Sequence, residues 1–543
     1  MSEERIKRKA ANAVAGEMEI IEGLPVMSAG GSAMVAVAAG TEPLPPAAAP
    51  SSWDIATDII VVGGGGAGMA AAVSAGEKGA QVIVLEKNPG CGGDTATAMT
   101  IISRTKNSKL HKRLGIEPIP LSQVFPVASA GFANRNNGEV ERLLLERDPE
   151  TADWLEEMGV IYETGPAAGT PPGMFLSPVN PEKPEDGYYS WFPYNAKGFI
   201  RVLEKRAREL GIQILKQTTA TALVSQNGAV IGVAAKTNDG KILHIKGKVS
   251  VLATGGFGAN KAMLKKYVPT SMFSAIVNYI GLPSSTGDGI RMAQGVNAIV
   301  EAMDDVEMWD GGVTGVGEGP MAFYNAATQL VRQKSLTVNK LGKRFMDENL
   351  MFGHGHEIGP FKANALQTAR QKDHTSFTIH DSETVKKDFI INKFEAIACK
   401  YPCRWYERDF EKRVKDGAIM KAGTIKDLAG LMEMDPAILQ ETVDQYNRYC
   451  DKGEDPEFFK PASYLIPLRK PPFYAVKQVG CALFNTWGGL VTNTKFQVLD
   501  KDWNPIAGLR VAGENAAYCA SVVYALTSGR IAGEEAAKEA QEN

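Results

Sequence analysis

The stretch from Asp58 to Lys87, DIIVVGGGGAGMAAAVSAGEKGAQVIVLEK, leaves this chain little choice of fold. Ile59 to Val62 is a short, β-branched apolar run of the kind that makes a buried strand. It stops at four glycines, and an alanine-rich helical stretch follows. Gly63, Gly65 and Gly68 stand in GxGxxG spacing, with Gly66 and Ala67 between them. The first glycine permits the turn, the second lets backbone approach a pyrophosphate, and the third lets helix pack on strand. A second apolar run, Gln81 to Leu85, ends at Glu86, whose carboxylate can accept hydrogen bonds from a ribose, and Lys87 follows it. Unpaired N–H groups at a helix start attract phosphate without any basic side chain. The pattern predicts a dinucleotide held in a βαβ unit.

At 543 residues the chain is too long for one ordinary core, so two or more domains are expected. The 59 Lys and Arg nearly balance the 62 Asp and Glu, and no basic stripe stands out. That argues against nucleic acid as a partner, because phosphate binding needs clustered cations. Six cysteines are scattered, with only Cys399 and Cys403 close together, which fits neither a disulfide framework nor a metal-cluster spacing. There is no CxxCH haem-attachment motif, so any redox chemistry would draw its electrons from an external donor or redox partner. Residues 1–57 read as an N-terminal extension that ends in a linker, Pro43 to Ser52. Lys7-Arg8-Lys9 ahead of the small-residue run Val26 to Gly40 invites an export reading, but Glu17, Glu19 and Glu22 intervene and no twin-arginine pair is present. The run is too short to span a bilayer. The expectation is a cytoplasmic protein that does not span a membrane.

After Glu86 the chain reads Asn88-Pro-Gly-Cys-Gly-Gly-Asp-Thr-Ala-Thr-Ala98, a second glycine and hydroxyl cluster with Gly92, Gly93, Asp94 and Thr95 placed to pass the same ligand. Ala253-Thr-Gly-Gly-Phe-Gly258 is another strand-to-glycine turn, with Thr254 and Gly255, and Ser285-Thr-Gly-Asp288-Gly leads a helix. Near the end, Gly508 to Asn515, with Gly513 and Glu514, reads as strand and turn, and the helical stretch Ala525 to Ala536 contains Ser528. With these motifs in this order, the chain from about Asp58 onward resembles the FAD-dependent family of fumarate reductases, succinate dehydrogenase flavoprotein subunits and 3-ketosteroid dehydrogenases. The resemblance implies an α/β fold: a Rossmann-like FAD-binding domain of the glutathione-reductase type, residues 58–310 plus 484–543, with an inserted α+β capping domain, residues 311–483. It implies FAD contacts at the residues just named and at Ala220. It also implies non-covalent FAD, because Asp94 to Thr100 lacks the histidine that respiratory subunits use for attachment.

Between these motifs, Glu139 to Met158 has helical spacing and is expected to break near Pro149. The Gly-, Pro- and aromatic-rich segment Pro166 to Pro193 reads as a surface loop or a lid. Lys197 to Leu210 reads as an amphipathic helix, followed by strands at Ile212 to Lys216, Thr221 to Ser225, Ala229 to Thr237 and Leu243 to Leu252. Ile425 to Lys452 reads as two helices joined at Met434-Asp-Pro436.

The family's chemistry is hydride exchange between flavin N5 and one carbon of a C–C bond, with proton exchange at the adjacent carbon. Fumarate-reducing members use an arginine acid, a carboxylate relay, and histidine and arginine clamps. Here Gly342-Lys-Arg-Phe-Met-Asp-Glu348 makes Glu348 the heir of the relay carboxylate. After the run Thr375 to Ile379, the stretch His380 to Lys387 holds no arginine and leaves Lys386 or Lys387 as its cations. Where a histidine pair would precede TxGG, this chain reads Phe484-Asn485-Thr486-Trp487. The region between Asn515 and Ser528 has no arginine and offers Tyr518, Cys519, Ser521 and Tyr524. Without guanidinium clamps a dicarboxylate would be held poorly.

Asn485, Thr486 and Tyr524 are therefore the substrate-side candidates, and Tyr518 a phenolic one. His354 and His356, in Gly353-His-Gly-His-Glu357, are candidates for substrate polarisation or proton transfer, with a solvated loop as the plainer reading. No third or fourth ligand stands out to make that pair a metal site. The expected activity is FAD-dependent reduction, or desaturation, of an activated C=C or C–C bond in an enoate- or enone-type substrate larger than fumarate. One alternative is a 3-ketosteroid-type dehydrogenase using Tyr518 and phenols among Tyr188, Tyr189 and Tyr194. Another is an FAD-carrying electron-transfer subunit without a substrate site of its own.

Overall fold

A computed structural model of the chain describes residues 40–98, 101–102, 105–162, 175–176, 178–182, 196–309, 334–348, 361–386, 390–391 and 405–542. Strand β1, Ile55–Val62, buries its last four residues and leads through the glycine turn into helix α1, Gly66–Glu77. Ten consecutive residues of α1, Gly66 to Ala75, are buried. A helix covered on every side needs small apolar residues all round, which is why this one is mostly alanine and glycine. Strand β2, Val82–Leu85, pairs parallel to β1, with Ile59 opposite Val82 and Val62 opposite Leu85. A one-turn helix α2, Gly93–Thr97, follows.

Helix α3, Gly138–Glu157, runs unbroken through Pro149, contrary to the break expected there. A proline inside a helix forfeits one backbone hydrogen bond, a penalty of about 3 kcal/mol. Here Leu144, Leu145, Pro149 and Ala152 are buried together along the helix, and Arg147 pairs with Glu534 at 2.9 Å, so packing outweighs the lost bond. Helix α4, Lys197–Glu209, then leads to strands β3, Gln213–Leu215, β4, Thr218–Gln226, β5, Ala229–Thr237, and β6, Ile242–Leu252. Beyond them come β7, Ile276–Tyr279, α5, Asp288–Gly295, and β8, Val306–Trp309.

A second body is built on strands β9, Leu336–Asn339, β10, Thr375–His380, β11, Ile419–Ala422, and, after helices α6, Ile425–Leu431, and α7, Pro436–Lys452, on β12, Phe473–Val479. These strands form one antiparallel sheet in the order β9-β10-β12-β11. Its core gathers Leu336, Phe377, Leu428, Leu439 and Tyr446. Strand β13, Cys481–Thr486, returns from this body by pairing with β7 and β8. Strands β14, Gln497–Leu499, and β15, Pro505–Val511, and the long helix α8, Val522–Glu542, complete the chain.

The main sheet runs β14-β15-β6-β1-β2-β3, with β5 on β6 and β4 on β5. Strands β15, β6, β1, β2 and β3 are parallel. Val511, Leu252, Val62 and Leu85 form one register row across four of them. The residues that follow that row, Ala512, Ala253, Gly63 and Glu86, therefore share one edge, where open parallel sheets bind ligands. Helix α8 crosses α1 closely: a Cβ on Gly529 would meet Ala67 O at 2.1 Å, and one on Gly533 would meet Ala71 O at 2.2 Å.

The segment Pro43–Ser52 is not a free linker. Leu44 N–H donates to Arg291 O at 2.9 Å and Ala47 N–H to Leu223 O at 2.8 Å, so this stretch is strapped across α5 and β4. Extended proline-rich chain keeps its carbonyls unpaired, and here Glu42 O accepts from Arg291 Nε at 2.9 Å. Among the described residues no helix is long and apolar enough to cross a membrane.

Candidate functional site

A trough opens along the shared edge of the parallel strands. Gly63 lies at φ +107°, and a Cβ there would strike Ala253 O at 2.3 Å. A Cβ on Gly68 would meet Gly63 O at 1.8 Å, so this glycine seats the helix against the turn and not against a ligand. Helix α1 starts at Gly65 with no side-chain cap, leaving its first-turn N–H groups turned to the trough. Glu86 braces the turn: Oε2 accepts from Gly64 N–H at 2.7 Å and Oε1 from Asn88 N–H at 2.6 Å. Burial pushes its carboxyl up, and the two backbone donors only partly offset this. Lys87 Nζ reaches Asp288 Oδ2 at 2.8 Å and Thr286 Oγ1 at 3.1 Å.

Further along, Asp94 at the start of α2 gathers three donors. Its Oδ1 accepts from Leu282 N–H at 2.5 Å, and its Oδ2 from Tyr279 at 2.8 Å and Ser285 at 2.6 Å. Glu514, after β15, accepts from both the N–H and the hydroxyl of Thr486. Loss of solvation in the fold, with the Asp94 carboxylate adding to it, raises the Glu514 carboxyl to about 7. Gly513 N–H donates to Ser528 Oγ at 2.9 Å, tying the turn to α8. Asn515 joins two turns, accepting from Thr254 Oγ1 at 3.0 Å and donating to Gly255 O at 2.9 Å.

Of the residues singled out in the sequence, Gly63, Gly65, Gly66, Ala67, Glu86 and Lys87 line the trough at one end. Gly93, Asp94, Thr95, Ala220, Thr254, Gly255, Asp288, Gly513, Glu514 and Asn485 line it as well. Gly92 is bridged to Gly65, and Ser528 is fully buried behind Gly513. Thr486 is turned from the trough onto Glu514.

Others lie elsewhere. Tyr524 is fully buried with its hydroxyl on Glu141 of α3, since α8 turns that face to α3. Tyr518 faces a separate recess with Val140, Glu301 and Thr492, its hydroxyl 3.4 Å from Asp305; burial pushes its phenol well up. Glu348 sits in the core of the second body, paired with Arg344 at 2.8 Å and Lys460 at 3.3 Å, and Arg344 also pairs with Asp455 at 2.8 Å. Lys386 is exposed. His354, His356, Lys387, Tyr188, Tyr189 and Tyr194, with most of the stretch read as a loop or lid, lie outside the described residues.

Sequence reasoning passed over Tyr279 and Ser285, which hold Asp94, and Asn515. Ser285 and Asn515 stand inside glycine-turn motifs, where a hydroxyl or amide beside the turn was the available signal. Tyr279 carries no local signal, because the contact spans 185 residues.

The trough suits a dinucleotide. Asn88 Oδ1 and Asp288 Oδ1 are buried acceptors with no hydrogen-bond partner among the described residues, and ribose hydroxyls are donors of the kind they need. The open N-terminus of α1 suits a pyrophosphate. The family model described as FAD binding domain matches residues 58–530, and the chain belongs to that family. It is an FAD-dependent oxidoreductase of the fumarate reductase-like kind, acting on carbon–carbon bonds.

The vinyl phenol reductase of Lactiplantibacillus plantarum is 30% identical over 514 residues, covering 89% of this chain and 96% of that protein. The NADH:acrylate oxidoreductase of Vibrio harveyi is 27% identical over 88% of this chain, which spans only 50% of that longer protein. The open conformation of a flavocytochrome c3 fumarate reductase superposes with a TM-score of 0.67 at 26% identity, covering 90% of this chain and 79% of that one.

Proposed function

We propose that this enzyme reduces the C=C bond of a conjugated aryl-bearing or otherwise apolar enoate or enone, and that fumarate is a poor substrate. The observation that carries this reading is the charge of the trough. Its described lining includes Glu86, Asp94, Asp288 and Glu514, against the single cation Lys87, which is engaged by Asp288. A dicarboxylate brought to such a wall meets no bidentate partner among the described residues. Ile280, Phe484, Val522 and Ala525 line the same trough and favour an apolar body. The likeness to a vinyl phenol reductase and an acrylate reductase supports a small conjugated substrate.

When bound, FAD would supply the hydride; the glycine turn would hold its phosphates and Glu86 its ribose, with no covalent link to the chain. Residues 311–483 act as the cap that closes on the trough and excludes water. Glu348, held by Arg344 and Lys460 in that body, positions its segment. Proton delivery then falls to the stretch after it, where His354 and His356 stand. Electrons arrive from an external donor.

Anaerobic stopped-flow reoxidation of the reduced holoenzyme by a panel of enoates, aryl acrylates and enones tests the reading. An aryl acrylate or enone is expected to reoxidise the flavin at least tenfold faster than fumarate. Fumarate matching the best of the panel would sink it. Acid precipitation is expected to release all yellow colour into the supernatant.

A further inference from the structure

Helix α5 is held from two sides. Asp288 and Met292, one turn apart, line the trough, and Asp288 pairs there with Lys87 at 2.8 Å. Arg291 and Gly295, also one turn apart, carry the strap that precedes the main sheet. Arg291 O accepts from Leu44 N–H at 2.9 Å, and Arg291 Nε donates to Glu42 O at 2.9 Å. A Cβ on Gly295 would meet Leu44 O at 1.8 Å, so the strap lies directly on this glycine.

A second clasp holds the start of the strap. Asn260 is fully buried, and its Nδ2 donates to Gly40 O at 3.1 Å and to Thr286 O at 3.0 Å. The Thr286 hydroxyl in turn accepts from Lys87 Nζ at 3.1 Å and donates to Asp288 Oδ2 at 3.0 Å. One carboxamide therefore joins the strap to the residue that braces the ion pair at the Glu86 end of the trough. The far end of the strap is fixed to β4, where Ala47 N–H donates to Leu223 O at 2.8 Å and Ala47 O accepts from Ser225 N–H at 3.2 Å. Strand β4 begins with Thr218, Thr219 and Ala220, which line the trough, and Thr218 N–H donates to Glu86 O at 2.9 Å.

An eight-residue helix is not stable in water alone, so the position of α5 is set by what packs on it. The strap staples it to β4 on the side away from the trough. Lifting the strap would cost the buried side chains of Asn260 and Arg291 a carbonyl acceptor each, and would loosen the helix that carries Asp288.

We propose that residues 40–47 are a latch on the cofactor: a docked strap slows FAD release, and bound FAD holds the strap down. Such a latch needs only FAD in the trough and is independent of the substrate class proposed above. Coupling between two sites is reciprocal, so the factor by which the strap tightens FAD must equal the factor by which FAD tightens the strap.

The test uses full-chain variants and reads the two sides separately. Gly295→Ala pushes the strap off without altering a residue that lines the trough. Leu44→Pro removes the donor to Arg291 O within Pro43-Leu-Pro-Pro46, an extended setting that accepts another proline. Both should speed FAD release, followed by the fluorescence of the freed flavin, by at least about fivefold. Glu42→Ala keeps the carbonyl that Arg291 uses and should release FAD at the wild-type rate. In the wild type, hydrogen exchange at the Leu44 and Ala47 amides should slow by a matching factor when FAD is bound. Exchange at these amides that ignores FAD overturns the proposal. So does wild-type release from Leu44→Pro, whatever Gly295→Ala does, since any effect would then belong to α5 itself. A lower melting temperature of the flavin-free variants with FAD release unchanged would make the strap a staple of the fold only, and overturns it as well. Failure of every enone and acrylate as substrate would sink the functional reading and leave the latch standing.

Discussion

Thr486 donates its backbone N–H and its hydroxyl to the same carboxylate oxygen, Glu514 Oε1, at 2.8 and 2.9 Å. The two residues are 28 apart in sequence, and the pair locks the turn after β15 to the strand that returns from the second body. Thr486 also accepts from Phe257 N–H at 3.3 Å, so its hydroxyl joins three parts of the site. Replacing Thr486 by Val keeps the shape and removes the hydroxyl. The expected loss is about 1–3 kcal/mol, because Thr486 is fully buried and its acceptor is a carboxyl group. Chemical denaturation of the flavin-free protein, with FAD affinity measured in parallel, checks this; a loss below about 0.5 kcal/mol would mean that the hydroxyl is dispensable.

Glu514 makes the flavin-free protein sensitive to pH in a direction that can be worked out. Its carboxyl titrates at about 7 in the fold against 4.5 in an unfolded chain, mainly because it loses solvation there and also because Asp94 is near. Between those values the folded protein binds more protons than the unfolded one, so the contribution of this group to stability falls as pH rises. Thermal melts from pH 5 to pH 8 should show a larger drop for the wild type than for Glu514→Gln. Parallel curves for the two proteins would contradict the assignment.

The buried cluster of the second body behaves oppositely. Burial pushes the Glu348 carboxyl up, but Lys460 and Arg344 more than offset this and leave it below its ordinary value. Its stabilising contribution is therefore present above ordinary carboxylate pKa values and lost as pH falls through them. Lys460 is itself fully enclosed, donating to Ser335 O at 2.7 Å and Tyr446 at 3.1 Å. Lys460→Met should destabilise by about 3–5 kcal/mol, because it leaves the buried carboxylates of Glu348 and Asp455 with Arg344 as their one cation among the described residues. The double variant with Glu348→Gln should recover part of that loss, measured as a double-mutant cycle. Additive losses would show the two side chains to be uncoupled.

Two glycines separate steric need from chain flexibility. Gly529→Val places side-chain atoms where Ala67 O already lies 2.1 Å from a Cβ, so α8 must back away from α1 and the site between them should open. A loss above about 2 kcal/mol with weakened FAD binding is expected. A Cβ on Gly430 in α6 would have nothing within 4 Å, and Gly430→Ala should gain up to about 1 kcal/mol. Equal effects of the two substitutions on denaturation midpoints would refute the packing argument.

The dinucleotide unit was legible because its information is local. Ile59 to Val62, the glycines and Glu86 lie within one short stretch, and period and turn chemistry read directly as strand, turn and helix. The strand Ala229–Thr237 emerged with its expected bounds for the same reason. The unbroken helix through Pro149 was not legible, because helix propensity is local while the packing that overrides it comes from α8, hundreds of residues later. The strap at Leu44 and Ala47 was hidden likewise, since its partners are the backbone carbonyls of Arg291 and Leu223.

By itself, then, the amino-acid order determined which cofactor class this chain takes and where its glycine turns fall, because those depend on neighbouring residues and backbone sterics. Tertiary structure alone decided that Tyr518 and Tyr524 turn away from the trough, that Glu348 is enclosed by cations, and that Asn485 faces the trough with an oxygen unpaired among the described residues. Those outcomes depend on which distant groups a side chain meets, and on whether water can reach it once the elements have packed.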